Sequence, residues 1–458
     1  MARVPHLPSV CVIGAGSSGI AAAKALHQRD LPFDCFEKSD RVGGNWVYKN
    51  RNGLSAAYRS LHANTSRKRM EYPDFPMPAT YPDFPHHTLL AEYFDRYVDH
   101  FGFRDRITFE TAVEHAALAA DGTWEVTLDG GSTRRYDALM VANGHHWDAR
   151  WPQPAFPGSD EFAGLQLHSH DYNGDDPCFF RDKRVVVLGM GNSAMDIAVE
   201  ASFSAAAVYL AARRGAWVIP KYLFGRPLDQ ISTQPGVPMR VRQAVFRMLL
   251  RIAVGPMERY GLPKPEHDVL QAHPTISDDI LSRLAHGAVT PKPNIARLTE
   301  RTVVFADGSE VEADVVVYCT GYNVTFPFFD RELISAPAND LPLFRRVFHP
   351  SIPNVFFIGL LQPLGAIMPL AAAQSQWVCE YLTGGYALPD PAALRADIER
   401  ERKRMFKRYV ASTRHTMEVD FDDYLAGLTD ERERGAERAR AQGYRLPVPP
   451  RGAEAVTV

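Results

Sequence analysis

The segment Val10-Cys-Val-Ile-Gly14-Ala-Gly16-Ser17-Ser18-Gly19 decides the fold of this chain. It joins an apolar run to a G-x-G-x-x-G motif, and a stretch with helical spacing of apolar residues follows to about Arg29. The first glycine permits a tight turn, the second lets a pyrophosphate approach the backbone, and the third lets the helix pack closely on the strand. Free N–H groups at the N-terminus of that helix favour an anion. The segment therefore predicts a βαβ unit that binds a dinucleotide.

A second predicted strand, Phe33–Glu37, ends in an acidic residue. A carboxylate at this position accepts hydrogen bonds from an adenosine ribose, which indicates a nucleotide without a 2′-phosphate. The strand, the helix and the acid make the motif specific, whereas the glycines alone would also fit a turn that binds nothing. The residues predicted to contact this nucleotide are Gly14, Gly16, Ser17, Ser18, Gly19, Glu37 and Lys38.

The same unit returns later in the chain. Its predicted elements are the strand Arg184–Leu188, the turn Gly189–Ala194, a helix from Met195 and the strand Ala207–Ala211. Where the first copy has Glu37, the second has Arg213 and Arg214. An arginine pair at this position favours a 2′-phosphate, and the alternative is two surface arginines at a strand end. The two copies therefore predict two different dinucleotides, FAD in the first and NADPH in the second.

A second repeat indicates how the two units are connected. Asp137-Ala-Leu-Met-Val-Ala-Asn-Gly144 and Asp314-Val-Val-Val-Tyr-Cys-Thr-Gly321 share an acid, an apolar run and a final glycine, and each follows a predicted hairpin. We therefore expect an α/β fold with two Rossmann-like dinucleotide-binding domains, the second inserted into the first, and a helical insertion. The predicted domains are residues 1–172 (FAD-binding domain, first part), 173–318 (NADP-binding domain, with a helical insert at about 223–290) and 319–458 (FAD-binding domain, second part, with a flexible C-terminal tail).

The composition excludes several classes of protein. With 458 residues, 45% hydrophobic and 23% charged, the chain can bury a large core, which excludes a disordered chain and a disulfide scaffold. A formal net charge of −3 provides no electrostatic basis for binding nucleic acid or an anionic membrane. The five cysteines are scattered and form no C-x-x-C motif. Their pattern argues against a dithiol–disulfide reductase and for a reducing, cytoplasmic location.

Two further features imitate sites that we do not expect. The run Val355–Ala373 has nearly the length of a membrane span, but its prolines and glycines favour a buried strand over Val355–Leu360, a turn and a buried helix. The C-terminal residues Arg451–Val458 do not form a hydrophobic anchor, so we expect no membrane attachment. His168 and His170 could form a metal site with Asp171, but no further cluster of ligands is evident in the sequence, so we predict no metal site.

The segments beyond the first glycine motif carry a family resemblance. Gly43-Gly44-Asn45-Trp46 offers a close backbone approach and a stacking face for a flat ring. Phe162-Ala-Gly-Leu-Gln-Leu-His168-Ser-His-Asp-Tyr172 matches the signature F-x-G-x-x-x-H-x-x-x-[YF] at every fixed position. Cys319-Thr-Gly-Tyr322 resembles an A-T-G-Y motif with cysteine in place of alanine. On these motifs the chain resembles the flavin-containing monooxygenases from residue 8 to about residue 385.

The resemblance implies an NADPH-dependent FAD monooxygenase. In this family NADPH reduces the flavin, and dioxygen adds to the reduced flavin. The resulting C4a-(hydro)peroxyflavin transfers one oxygen atom to a soft nucleophilic nitrogen or sulfur of a small substrate. Baeyer–Villiger oxygenation of ketones is the alternative, although those relatives usually carry tryptophan where this chain has Tyr172. A non-catalytic flavoprotein that binds a partner is a more distant alternative. The expected partners are a small-molecule substrate and dioxygen, and a homodimer is left open.

The resemblance also assigns site residues. Asn64 is the expected catalytic residue, because its amide can donate to the oxygenated flavin or hold the nicotinamide amide without adding charge. Gln374 resembles a position near the isoalloxazine ring. The other residues implied on FAD are Gly44, Asn45, Trp46, His62 and, through its backbone, Val113. Those implied on NADPH are Gly189, Gly191, Asn192, Ser193, Ala194, Met195, Asp196, Arg213, Arg214 and Lys221, with Thr320 and Gly321 expected at the end of the repeated strand.

Overall fold

The chain divides into two compact units. A computed structural model describes residues 7–231, 237–409 and 416–442. The first unit is built from the chain up to Ser55, from Arg67–His145 and from the chain that begins at Val324. The second unit is built from Ala56–Ser66 and His146–Asn323. One unit is thus inserted into the other, which confirms the predicted architecture.

Within the described ranges, the strands are β1 (Val10–Ile13), β2 (Phe33–Phe36), β3 (Ile107–Thr108), β4 (Val113–Leu118), β5 (Trp124–Leu128), β6 (Thr133–Tyr136), β7 (Ala138–Val141), β8 (Asp148–Ala149), β9 (Leu165–His168), β10 (Arg184–Leu188), β11 (Ala207–Ala212), β12 (Val218–Ile219), β13 (Tyr222–Leu223), β14 (Arg226–Pro227), β15 (Thr275–Ile276), β16 (Thr290–Pro293), β17 (Ile295–Leu298), β18 (Thr302–Phe305), β19 (Glu310–Glu312), β20 (Val315–Tyr318), β21 (Tyr322–Asn323), β22 (Val355–Phe357), β23 (Gln362–Leu364) and β24 (Glu418–Asp420). The helices are α1 (Ser17–His27), α2 (Arg67–Met70), α3 (His87–Phe101), α4 (Asn192–Ala201), α5 (Met239–Ala253), α6 (Asp279–Ala285), α7 (Met368–Leu382), α8 (Pro391–Arg408) and α9 (Phe421–Gln442).

The first unit is built on a parallel five-stranded sheet in the order β22-β7-β1-β2-β3. β1 is central because all four of its residues are apolar and buried, as a strand covered on both faces requires. In register, Val10 lies opposite Phe33 of β2 and Ala138 of β7. The alanine-rich helix α1 packs against α7. This arrangement places the glycine turn after β1 and the acid after β2 at the same edge of the sheet.

The second unit repeats this plan. Its parallel sheet has the order β16-β11-β10-β20-β9, and each unit adds a three-stranded antiparallel sheet, β4-β5-β6 or β17-β18-β19. The repeated acids have equivalent contacts: Asp137 accepts a hydrogen bond from the N–H of Ser9 at 2.7 Å, and Asp314 accepts one from the N–H of Arg184 at 2.8 Å. Each acid therefore ties the start of β7 or β20 to the start of its central strand, which explains why the two segments resemble one another.

The units do not follow the boundaries predicted at residues 172 and 318. β9 pairs with β20, so Leu165–His168 belongs to the sheet of the second unit. β8 pairs with β21, which places His146–Asn323 in that unit as one continuous stretch. The separate segment Ala56–Ser66 also joins the second unit. These pairings connect residues far apart in sequence, and local patterns do not show them.

Several predicted elements also differ in detail. α4 begins at Asn192, one turn before the predicted start at Met195. The predicted helical insert contains α5 and α6 but also short strands, among them β15, which pairs with β12. The membrane-like run is β22, β23 and the start of α7, and no helix in the described ranges is long and apolar enough to cross a membrane. The end of the predicted flexible tail, residues 443–458, lies outside the described residues.

Candidate cofactor sites

The fold requires glycine at two positions of the turn after β1 but not at the third. A Cβ on Gly14, which has φ +96°, would lie 2.8 Å from the carbonyl oxygen of Ala142. A Cβ on Gly19 would lie 1.8 Å from the carbonyl oxygen of Gly14. Gly16 differs, because its φ is −68° and a Cβ on it would meet nothing closer than the Cα of Gly44 at 3.7 Å. The protein itself therefore has room for a side chain at residue 16, and the absence of one lets a ligand approach the backbone there.

The same turn presents an anion site and an acceptor to a nucleotide. α1 begins at Ser17, and no side chain caps its first N–H groups. Glu37 is 5% exposed and accepts hydrogen bonds from the N–H groups of Ala15 at 2.6 Å and Ser39 at 2.8 Å. Burial raises the pKa of the Glu37 carboxyl group, and these two hydrogen bonds partly offset that effect. A carboxylate can accept about four hydrogen bonds, so Glu37 retains capacity for ribose hydroxyl groups.

The structure brings the Gly43-Gly44 segment to this turn. A Cβ on Gly44 would lie 3.0 Å from the Cα of Gly16, and the N–H of Gly43 donates to the carbonyl oxygen of Ala15 at 3.0 Å. A side chain at residue 44 would therefore crowd the glycine turn, which explains the glycine at this position. Of the other residues predicted on FAD, Lys38 and Asn45 are exposed, and Trp46 and Val113 are half-buried.

Gln374 lies in the middle of α7 and contacts protein groups at both ends of its amide. Its oxygen accepts from the N–H of Gly359 at 2.8 Å, and its nitrogen donates to the Tyr424 hydroxyl at 2.7 Å. Gly359 in turn lies against the start of α1, where a Cβ on it would be 2.0 Å from the Ser18 hydroxyl oxygen. Gln374 thus contacts Gly359 beside the glycine turn, and its predicted position near the isoalloxazine ring stays a prediction.

The turn after β10 has the same construction. Gly189 has φ +143°, and a Cβ on it would lie 2.6 Å from the carbonyl oxygen of Cys319. α4 begins at Asn192, and no side chain caps it at Gly191. The Asn192 side-chain oxygen accepts from the N–H of Ile276 at 2.7 Å, so this side chain holds the insertion against the turn.

The next residues of α4 have unequal access to a ligand. Ala194 and Met195 are fully buried in the hydrophobic core of the unit, so only their backbone groups can face a nucleotide. Ser193 is half-buried. The Asp196 carboxylate accepts a hydrogen bond from the Tyr58 hydroxyl group. Burial raises the pKa of Asp196, and the Tyr58 hydrogen bond lowers it.

Positively charged groups gather beside this second turn. Arg213 and Arg214 follow β11 and are exposed, in the predicted position. Arg150 was missed by the sequence reasoning, and its guanidinium group donates to the carbonyl oxygen of Thr320 from Nε at 3.2 Å and from Nη2 at 2.9 Å. Burial lowers the pKa of Arg150, and the charge of Arg213 lowers it further. Neighbouring cations of this kind favour a bound anion.

No local motif marks Arg150, because long-range pairing places it. The antiparallel pair β8–β21 brings it to the end of β20, where its N–H donates to the carbonyl oxygen of Gly321 at 3.0 Å. Gly321 has φ +83°, which favours glycine at that position. Lys221, also predicted on NADPH, is half-buried, and its backbone N–H donates to the Asp278 carboxylate at 2.9 Å.

Asn64 and His62 lie in the second unit, in the segment Ala56–Ser66. Asn64 is half-buried, and its side chain makes no hydrogen bond within the described residues. His62 is exposed, and its Nδ1 lies 2.8 Å from the carbonyl oxygen of Ser60. Both residues lie in the unit that carries the arginines, and their predicted contacts with FAD stay predictions.

The buried histidine of the family signature makes a local contact. His168 is fully buried, its Nδ1 accepts from the N–H of His170 at 3.1 Å, and burial lowers its pKa to about 4. Among the residues that the structure describes, no group of three or more His, Cys, Asp and Glu could hold a metal ion. The prediction of no metal site stays a prediction.

Comparisons with known proteins agree on one family. The model of the family "Flavin-binding monooxygenase-like" matches residues 8–433. The chain is 36% identical over 443 residues to flavin-containing monooxygenase 5 of Rattus norvegicus, covering 92% of this chain and 82% of the relative. It is 35% identical over 441 residues to dimethylaniline monooxygenase [N-oxide-forming] 2 of Mus musculus, with the same coverage of each chain. The structure of S-allyl-L-cysteine S-oxygenase from Allium sativum shares the fold, with a TM-score of 0.69 and 24% identity over 98% of this chain and 96% of that one.

Proposed function

The chain belongs to the flavin-binding monooxygenase-like family, and from that premise we propose how its residues serve the reaction. It is an FAD-containing, NADPH-dependent monooxygenase. Bound FAD would supply the redox chemistry, namely acceptance of a hydride from NADPH and activation of dioxygen, of which one oxygen atom goes to the substrate and the other leaves as water. FAD is assigned to the first unit and NADPH to the second because of the residues that follow the second strand of each unit, Glu37 after β2 and Arg213-Arg214 after β11.

The first unit holds FAD at the turn after β1. The backbone of Gly16 and the N–H groups of Ser17 and Ser18 bind the pyrophosphate, because α1 has no capping side chain and residue 16 has no Cβ. Glu37, fixed by two backbone hydrogen bonds, accepts from the ribose hydroxyl groups. Gln374 supports the same turn through Gly359.

The second unit holds NADPH at the turn after β10. The N–H groups at the start of α4 bind the pyrophosphate, and Arg213 and Arg214 bind the 2′-phosphate. Arg150 adds a third positive charge near Arg213 and raises the local preference for an anion. Because Ala194 and Met195 belong to the core, they contribute through the backbone.

Asn64 orients the nicotinamide end of the bound coenzyme. Its amide can both donate and accept hydrogen bonds without adding a charge, and it lies in the unit of the NADPH turn. Asn64→Ala is expected to retain FAD but to release about 5-fold more hydrogen peroxide per NADPH, the effect of losing one hydrogen bond of about 1 kcal/mol. Peroxide and product are measured together in the same turnover assay. Unchanged coupling in this variant would remove Asn64 from the reaction.

The substrate is a small molecule with a soft nucleophilic nitrogen or sulfur. This assignment is supported by the family and by Tyr172, which ends the signature where Baeyer–Villiger relatives usually carry tryptophan. Product analysis with a tertiary amine, a sulfide and a cyclic ketone tests it. An N-oxide or S-oxide as main product supports the assignment, and an ester or lactone favours the ketone alternative. A cytoplasmic location and a homodimer remain predictions of the sequence.

A further inference from the structure

The segment Ala56–Ser66, which carries Asn64, is held by side chains at both of its ends. At its N-terminal end, the Tyr58 hydroxyl group donates to Asp196, and the Ser60 hydroxyl group donates to Glu200 at 2.9 Å. Asp196 and Glu200 are four residues apart on α4, the helix that follows the glycine turn predicted to bind NADPH. This end of the segment is therefore fixed to the coenzyme-binding helix.

The C-terminal end of the segment is fixed to the insertion instead. Ser66 is fully buried, and its N–H donates to the Asp229 carboxylate at 2.6 Å. The Ser66 hydroxyl oxygen accepts from the Gln230 side-chain amide at 2.9 Å. The acceptor Asp229 and the donor Gln230 both belong to a short 3-10 turn, Leu228–Gln230, whose first N–H donates to the carbonyl oxygen of Lys221 at 2.8 Å.

Asn64 lies two residues before this second attachment. Its own side chain makes no hydrogen bond within the described residues, so its position depends on the backbone on either side. A hydrogen bond from a backbone N–H to a carboxylate is short and strong compared with a neutral one, and the observed 2.6 Å agrees with that. Loss of it would leave the buried Ser66 N–H without an acceptor and free the backbone at Asn64.

We propose that Asp229 is a positioning residue, assisted by Gln230, that holds Asn64 in place for the reaction. The proposal rests on the role of Asn64 given under the proposed function. The proposal gives the insertion a function. Its residues Asp229 and Gln230 fix the segment Ala56–Ser66, which lies more than 160 residues earlier in the chain. Asp229 acts through the Ser66 N–H and needs no proton transfer, so an oxygen acceptor at this position is sufficient.

The test compares Asp229→Ala with Asp229→Asn in the full-length enzyme loaded with FAD. Asp229→Ala is expected to raise the peroxide released per NADPH about 5-fold, while Asp229→Asn, which keeps an oxygen for the Ser66 N–H, stays near the wild-type ratio. Asp268→Ala is the matched control, because Asp268 accepts the N–H of Val269 at 2.9 Å in the same insertion without touching the segment. Loss of coupling in Asp229→Asn as well would overturn the proposal in favour of a charge-dependent role.

A second readout does not depend on turnover. In the cofactor-free protein, hydrogen exchange of residues 61–66 is expected to be about 10-fold faster in Asp229→Ala than in Asp229→Asn or Asp268→Ala. If Asp229→Ala does not fold, Gln230→Ala provides the same comparison with a smaller change. Exchange and coupling that both remain at wild-type values would refute the positioning role.

The double variant Asn64→Ala/Asp229→Ala separates the two proposals. If Asp229 acts through Asn64, the double variant releases no more peroxide than Asn64→Ala alone. Additive effects would contradict action through Asn64. Normal coupling in Asn64→Ala would refute the role of Asn64 itself, whereas an uncoupled Asn64→Ala beside a coupled Asp229→Ala would refute only the role of Asp229.

Discussion

The variant Gly16→Ala is expected to weaken FAD binding while leaving the stability of the fold nearly unchanged. Gly16 has an ordinary φ of −68°, and a Cβ there would lie 3.7 Å from the nearest atom, so the folded protein accepts alanine. Two small terms oppose each other: alanine is a weaker N-cap by up to about 1 kcal/mol, and it lowers unfolded-state entropy by a similar amount. We expect the free energy of unfolding of the cofactor-free protein to change by less than about 1 kcal/mol. The methyl group nevertheless occupies the space of the pyrophosphate, and we expect FAD to bind about 100-fold more weakly, a loss of about 2.8 kcal/mol.

Gly19→Ala is the matched control for this experiment. Its Cβ would lie 1.8 Å from the carbonyl oxygen of Gly14, so this variant should lose about 3 kcal/mol or more of stability before any cofactor is added. Urea unfolding of both cofactor-free variants and titration of each with FAD measure the two effects separately. Wild-type FAD affinity in Gly16→Ala would refute the assignment of this turn to the pyrophosphate. Destabilisation of Gly16→Ala equal to that of Gly19→Ala would refute the argument from open space.

Two further predictions address the second unit. Arg213→Ala should raise the KM for NADPH about 10- to 100-fold, because a charge-assisted hydrogen bond to phosphate contributes about 1.5–3 kcal/mol. The KM for NADH should stay nearly unchanged, because NADH has no 2′-phosphate. Equal effects on both coenzymes would contradict the 2′-phosphate assignment. His168 has a folded-state pKa of about 4, below the value of about 6.5 in an unfolded chain, so its neutral ring stabilises the fold fully above pH 6.5 and less as the pH falls toward 4. This difference in pKa should lower the free energy of unfolding by about 2 kcal/mol between pH 7 and pH 5. In His168→Asn, the unfolding free energy measured in urea should therefore depend less on pH. An unchanged dependence on pH in this variant would contradict the low pKa of His168.

The parts of the fold that the sequence predicts are those with local signals. β10 was predicted as Arg184–Leu188 and has those bounds, because an apolar run between a polar start and a glycine turn defines a buried strand without outside help. The start of α4 was predicted three residues late, since Gly191 provides an N-cap without a capping side chain and helix boundaries are weakly encoded. The strands β12 and β15 were not predicted, because two-residue strands have no measurable periodicity.

The candidate sites divide in the same way. The positions of Glu37 and Arg213 follow from spacing alone, since each residue comes after the second strand of a βαβ unit whose first strand ends at a glycine turn. Arg150 has no such spacing and reaches the second turn only through the pairing of β8 with β21. Gln374 was matched to a position by resemblance, but its role through Gly359 depends on hydrogen bonds with residues distant in the chain.

The position of Asn64 shows why the unit to which a residue belongs matters for mechanism. In sequence it lies between a part of the first unit that ends at Ser55 and another that begins at Arg67, and the family resemblance places it beside the flavin. Its neighbours Tyr58, Ser60 and Ser66 instead bond to residues of the second unit. A change in the coenzyme-binding helix or in the insertion can therefore alter the placement of Asn64 without touching it. Coupling between NADPH oxidation and oxygen transfer should then be sensitive to substitutions that leave FAD binding unchanged, which is the property that separates positioning from cofactor binding.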